Sequence, residues 1–258
     1  AVFAASVPIL ALAALLSSRF VVPRPAVEVA RQPFVSGVFG GFGRFFGYHL
    51  ILITAIAYIL VYSGQMVMPN ITLYTKEALG RPPEDFVGYQ LALRFGFKIV
   101  AGFGLGWLLT RTNPKTLLVV TAALTFAGVA WALAVPGPWF LVAFGILGAG
   151  ELFGVYYPNY ILGCSPRSKM RRNMAFTSLV TMPVGFAAVV YGMISDTFGA
   201  VNKGFGFRMS FNASLAVLAA TVLLVLVALP AWPRPCEADM DESDREPVGA
   251  KGKEGVRP

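Results

Sequence analysis

Histidine occurs once, cysteine twice and acidic residues only thirteen times among 258 positions. That scarcity excludes most side-chain chemistry. His49, at the start of an apolar run, has no partner in sequence that would make it a general base. Cys164 and Cys236 lack metal-ligand spacing, and on the topology derived below both face a compartment that keeps thiols reduced. The run Gly102-Phe103-Gly104-Leu105-Gly106 is no dinucleotide fingerprint, because no strand precedes it. The expectation is a protein that is not an enzyme and holds neither cofactor nor metal.

Uncharged apolar sequence is abundant. Hydrophobic residues make up 56% of the chain and charged ones 13%, and the long apolar runs recur along it instead of forming one signal-like segment. At about 20 residues per crossing, seven spans are predicted: 1–22, 45–69, 86–109, 117–135, 140–162, 176–193 and 209–229. The fold class is an all-α membrane protein, a polytopic bundle of about seven transmembrane helices. Residues 23–44 form a basic linker and 45–229 a six-helix domain. The tail, 230–258, carries Glu237, Asp239, Asp241, Glu242, Asp244 and Glu246 with too little apolar surface to fold, so disorder is expected there.

Positive charge alternates between the connections. Arg19, Arg24, Arg31 and Arg44 flank the first linker, Arg111 and Lys115 the next alternate turn, Arg167, Lys169, Arg171 and Arg172 the third, and Arg234 follows the last span. The intervening connections hold only Lys76 and Arg81, then none over 136–139, then Lys203 and Arg208. The positive-inside rule places the first group in the cytoplasm of a multi-pass protein of the inner or plasma membrane, C-terminus inside. The net charge of +8 is this bias, so membrane lipid and not nucleic acid is the implied partner. Because the chain opens Ala-Val-Phe in mid-span on the outer side, a longer protein with a missing N-terminal half is expected.

Three charges violate the apolar pattern. Gln90, Arg94 and Lys98 recur every four residues and share one helical face. Each cation would cost about 2.5–3.5 kcal/mol at mid-membrane, so the pair must face protein, water or a charged ligand. Glu151 is the one acid inside a predicted span and falls at the depth of Lys98, with Asn159 on the same broad face; a salt bridge to Lys98 would leave one cation uncompensated. In span 45–69, Thr54, Tyr58, Tyr62 and Gln65 recur at helical spacing and approach Pro69, whose missing N–H loosens the helix. The glycines at 102, 104, 106, 145, 148, 150 and 154 predict close helix crossings, Pro158 a bend, and Pro183 with Gly185 a kink.

The turn Gly106-Trp107-Leu108-Leu109-Thr110-Arg111-Thr112-Asn113-Pro114-Lys115 resembles the signature loop of the major facilitator superfamily, G-x-L-x-D-R-x-G-R-R. Gly106, Leu108, Arg111 and Lys115 match; Thr110 stands for the acid and Asn113 for the second glycine. Gly192-Met193-Ile194-Ser195-Asp196-Thr197-Phe198-Gly199 is similar to that family's eleventh-to-twelfth helix hairpin. The resemblance implies that residues 1–22 are a sixth helix, 23–44 the linker between halves, and 45–229 the C-terminal six-helix half of a secondary transporter working by alternating access. Gln90, Arg94, Lys98, Glu151, Asn159, Tyr58, Tyr62 and Gln65 then become candidates for binding or coupling, with a small organic or inorganic anion as substrate and a proton or sodium ion as coupled partner. A seven-helix receptor and a non-transporting scaffold are the alternatives; the last span has no lysine for a retinal Schiff base.

Overall fold

The computed structural model describes residues 11, 12, 14–17, 19, 43, 45–166, 169–200 and 202–235. They fall into two units, 1–38 and 39–258. In the first, residues 11, 12 and 14–17 are helical, and the Arg19 N–H closes on the Leu16 carbonyl at 3.1 Å. The rest of the predicted span 1–22 and nearly all of the linker 23–44 lie outside the described residues.

The described residues of the second unit form helices joined by short turns, with no strand among them. Its helices are α1 (His49–Gln65), α2 (Met68–Leu79), α3 (Val87–Arg111), α4 (Pro114–Ala134), α5 (Val142–Gly150), α6 (Phe153–Gly163), α7 (Met170–Thr181), α8 (Phe186–Gly199) and α9 (Lys203–Ala228). They make six stretches long and apolar enough to cross a membrane: His49–Leu79, Pro83–Arg111, Pro114–Ala134, Gly137–Gly163, Met170–Gly199 and Lys203–Ala228. These match the six predicted spans after residue 45. The first continues ten residues past its predicted end, because Pro69 sits in the first turn of α2, where its lost N–H has no intrahelical partner to miss.

A glycine ends one helix and asparagine side chains begin two others. Gly80 ends α2 in the left-handed conformation at φ 67°, where a Cβ would be strained. Asn113 and Asn202 cap α4 and α9, their side chains accepting from Thr116 N at 3.1 Å and Phe205 N at 3.2 Å.

Three of the six stretches are interrupted. α1 gives way to α2 at Met66–Val67, α5 to α6 at Glu151–Leu152, and α7 to α8 through a tight turn at Met182–Gly185 around Pro183. At the second break Gly154 N and Val155 N reach back three residues, to the Glu151 and Leu152 carbonyls at 3.0 and 2.9 Å. α6 runs on through Pro158, so the bend lies seven residues ahead of that proline. Irregular backbone at membrane depth is tolerated where it faces protein or a water-filled cavity.

Close packing rests on three of the glycines that the pattern suggested, Gly145, Gly148 and Gly150, and on three others, Gly64, Gly128 and Gly206. A Cβ on Gly148 would overlap the Arg94 carbonyl oxygen, one on Gly145 would sit 2.7 Å from the Phe97 ring, and one on Gly128 2.6 Å from Leu147. Gly150 meets Thr125, Gly64 meets Leu218, and Gly206 meets the Ser195 carbonyl. These contacts seat α5 against α3 and α4, and α9 against α1 and α8. Gly102, Gly104, Gly106 and Gly154 have open space where a Cβ would go, so the close crossing expected of them is corrected. α3 lies at the edge of the bundle, and Val100, Phe103 and Trp107 are exposed along it.

The ends bearing Arg111, Lys115 and Arg234 meet. Lys115 Nζ donates to the Leu226 carbonyl in the last turn of α9 at 2.8 Å, Tyr160 Oη to the Pro230 carbonyl at 2.7 Å and Tyr48 Oη to the Arg234 carbonyl at 2.6 Å. Gly163 lies against the Pro233 ring. Residues 230–235, read from sequence as the start of a disordered tail, are thus a strap across one end of the bundle. Their prolines supply carbonyls without needing partners for N–H groups. Residues 236–258 lie outside the described residues.

Candidate functional site

The site is assembled from two helix breaks and one intact helix. Gln65 ends α1, Glu151 caps α5, and Arg94 and Lys98 project from consecutive turns of α3. The contact between Gly148 and the Arg94 backbone holds α3 and α5 together one turn from Glu151. That approach lets one carboxylate reach both cations.

Glu151 Oε1 accepts from the Arg94 guanidinium and from Gln65 Nε2 at 3.3 Å; Oε2 accepts from Lys98 Nζ at 3.0 Å. The Glu151 side chain is 11% exposed, and those of Arg94 and Lys98 are 33% and 34% exposed. The carboxylate is nearly enclosed while each cation keeps a face open. With two cations to one anion the cluster carries an uncompensated positive charge. Arg94 Nε and Gln65 Oε1 are buried with no hydrogen-bond partner.

These groups line a cavity of about 610 Å³. Tyr58, Tyr62, Gln65, Gln90, Arg94, Lys98 and Glu151 all border it, as does Thr72, a polar residue that the sequence pattern did not single out although it stands seven positions after Gln65. One wall is aromatic: Tyr58 stacks on Tyr62 with centroids 6.2 Å apart and on Tyr157 at 5.8 Å, and Phe153 packs on Tyr62 at 5.7 Å. The Gln90 amide donates to buried Thr75 at 3.2 Å, which fixes α2 against α3 at the cavity edge.

Two residues of the predicted stripes stay outside. Asn159 is exposed and does not border the cavity, because the break at Glu151–Leu152 resets the rotation of α6 relative to α5, so a face read through one continuous helix does not persist. Thr54 is buried and returns its hydroxyl to the Leu50 carbonyl at 2.7 Å.

In the signature-like turn, Lys115 binds the end of α9, where a cation meets the negative end of the helix dipole. Arg111 instead lies over the Trp107 ring, 5.5 Å from its centroid. Gly106 has open space beside it, and Leu108 offers its carbonyl to Thr112 N at 2.9 Å, ending α3. Among the described residues no group of three or more histidines, cysteines or acids is placed to hold a metal ion.

Compared with known proteins, the chain matches no family model and no curated protein sequence. By structure it is similar to the E. coli fucose:proton symporter FucP, with a TM-score of 0.61 and 18% sequence identity over 85% of this chain and 53% of that one. The fold is the major facilitator fold. This chain spans about half the length of that transporter. In major facilitator folds each six-helix half holds two inverted three-helix repeats, and pathways are formed by discontinuous helices. Here the first and fourth of the six stretches are interrupted at Met66–Val67 and Glu151–Leu152, and both breaks border the cavity.

Proposed function

We propose that this protein is a secondary transporter of a small anion, whose site is the cavity between the two breaks. The observation that carries the reading is the convergence of Arg94, Lys98 and Glu151 on it, two half-open cations sharing one enclosed carboxylate. Charged groups at membrane depth mark ion and substrate pathways. A negative group entering there meets an uncompensated positive charge in a medium of low dielectric, whereas a cation meets repulsion.

Glu151 serves as the coupling group in this proposal. Its carboxylate and an anionic substrate compete for the same two cations, so a proton arriving on Glu151 frees Arg94 and Lys98 for the substrate. Alternating access then comes from rocking this six-helix half, the C-terminal one, against a preceding half that supplies the other wall of the pathway. The basic end with Arg111, Lys115 and the strap faces the cytoplasm.

A neutral sugar is the second reading. The sugar named for the structural neighbour and the aromatic wall of Tyr58, Tyr62 and Phe153 favour it. An uptake assay on vesicles containing the full-length protein tests the anion reading against a purely structural ion pair. Under the anion reading Lys98→Gln lowers anion uptake at least tenfold and Glu151→Gln removes its dependence on the proton gradient. Under a purely structural ion pair each single change destabilises the protein and the double neutral variant regains both stability and transport. Restored transport in the double variant defeats the substrate-binding role of Lys98.

A further inference from the structure

Resting on the anion reading above, the cavity's chemistry narrows the substrate class. Gln65 is 4% exposed, and its Nε2 is committed to Glu151 Oε1 at 3.3 Å and to Met68 Sδ at 3.7 Å. Those two partners fix the amide orientation, since turning it over would set oxygen against carboxylate. Gln65 Oε1 is thereby left as an acceptor with no partner, and Arg94 Nε is left as a donor with none. The two side chains lie together, because both donate to the same oxygen, Glu151 Oε1. Each orphaned group bears the full cost of desolvation until something satisfies it.

One ligand group satisfies both. A hydroxyl donates to the amide oxygen and accepts from the guanidinium N–H. An ammonium can donate but not accept, and the Arg94–Lys98 pair repels it. The cavity is also lined by the aromatic wall ending at Tyr62 and by Phe144, Leu91 and Met68, which offer apolar contact and no further charge. A bare inorganic anion would leave that wall unused.

We infer that the substrate is a 2-hydroxycarboxylate with an apolar or planar body. Its carboxylate takes the place of Glu151 on Lys98 and Arg94, its hydroxyl bridges Gln65 Oε1 and Arg94 Nε after a small turn of the Gln65 side chain, and its body lies on Tyr62 and Phe153.

Binding to the full-length protein in detergent, measured by calorimetry with six probes, tests this. 3-Phenyllactate should bind about tenfold or more tightly than 3-phenylpropionate, which lacks the hydroxyl, and than phenylalanine, which replaces it with ammonium. It should exceed lactate, which lacks the ring, by a similar factor, and exceed sulfate by more. Gln65→Leu should bring 3-phenyllactate down to the affinity of 3-phenylpropionate. The wild-type series decides the matter even where that variant does not fold. Equal affinities for the carboxylates, all lost in Lys98→Gln, would leave the anion site standing and overturn the hydroxycarboxylate assignment. Sulfate or lactate binding as tightly as 3-phenyllactate would overturn it too. Failure of every probe to bind, or binding of neutral 3-phenylpropane-1,2-diol in place of the acids, would overturn both readings.

Discussion

At the scale of single residues, the same amino acid has opposite roles depending on what stands opposite it. Gly148 touches the Arg94 backbone, whereas Gly154, six positions on, has nothing within reach of an added methyl. Gly148→Ala should therefore lower the melting temperature sharply, by an overpacking cost of about 1–3 kcal/mol, while pushing α3 away from Glu151. Gly154→Ala should leave stability unchanged within error; equal effects of the two in a thermal melt would show that α3 and α5 do not meet there. Cys164 is fully buried beyond the end of α6, and burial pushes its thiol up to about 12. The protonated thiol favours the fold below pH 9, its ordinary value, and that contribution fades as pH rises from 9 towards 12. Maleimide should accordingly modify Cys164 slowly in the folded protein at pH 8 and rapidly after denaturation, a contrast that mass spectrometry of a Cys236→Ser variant reads directly.

At the scale of elements, the breaks and the strap do what intact helices cannot. Glu151 keeps the helical register of α5, its N–H on the Leu147 carbonyl at 2.9 Å, while the break after it lets α6 take a rotation of its own. The strap has the contrary effect, joining elements that are far apart in sequence. Tyr48, Lys115 and Tyr160 each donate to a carbonyl between Leu226 and Arg234, tying the starts of α1 and α4 and the end of α6 to the end of α9. Truncation after Pro235 should leave thermal stability intact. Truncation after Leu229 removes the acceptors of Tyr48 and Tyr160 and should cost on the order of 1–3 kcal/mol, visible as a lower melting temperature in detergent; identical melts for the two would mean that the strap holds nothing.

At the scale of the whole molecule, charge and topology make one prediction. Glu84 and Trp232 are exposed and lie at opposite ends of the bundle, as the alternation of six helical stretches requires. If the basic end faces the cytoplasm, as proposed above, a lone cysteine at Glu84 should label with an impermeant maleimide in intact cells, and one at Trp232 only after the membrane is opened. Labelling of both from outside would end the orientation, though not the fold.

The six stretches after residue 45, and the shared face of Gln90, Arg94 and Lys98, were legible in the chain. Apolar length and the helical period are local properties, and a backbone that must satisfy its own hydrogen bonds in lipid has few other conformations to choose. Glu151 likewise stood out as the one acid within a predicted span. Tertiary structure alone decided that Glu151 would meet both cations and Gln65, that Asn159 would not join them, which glycines sit at crossings, and that residues 230–235 would be held. Those outcomes depend on where a helix breaks and on which face of one helix meets which face of another. Such contacts between residues dozens of positions apart leave no period in the sequence, because they are settled by packing in three dimensions.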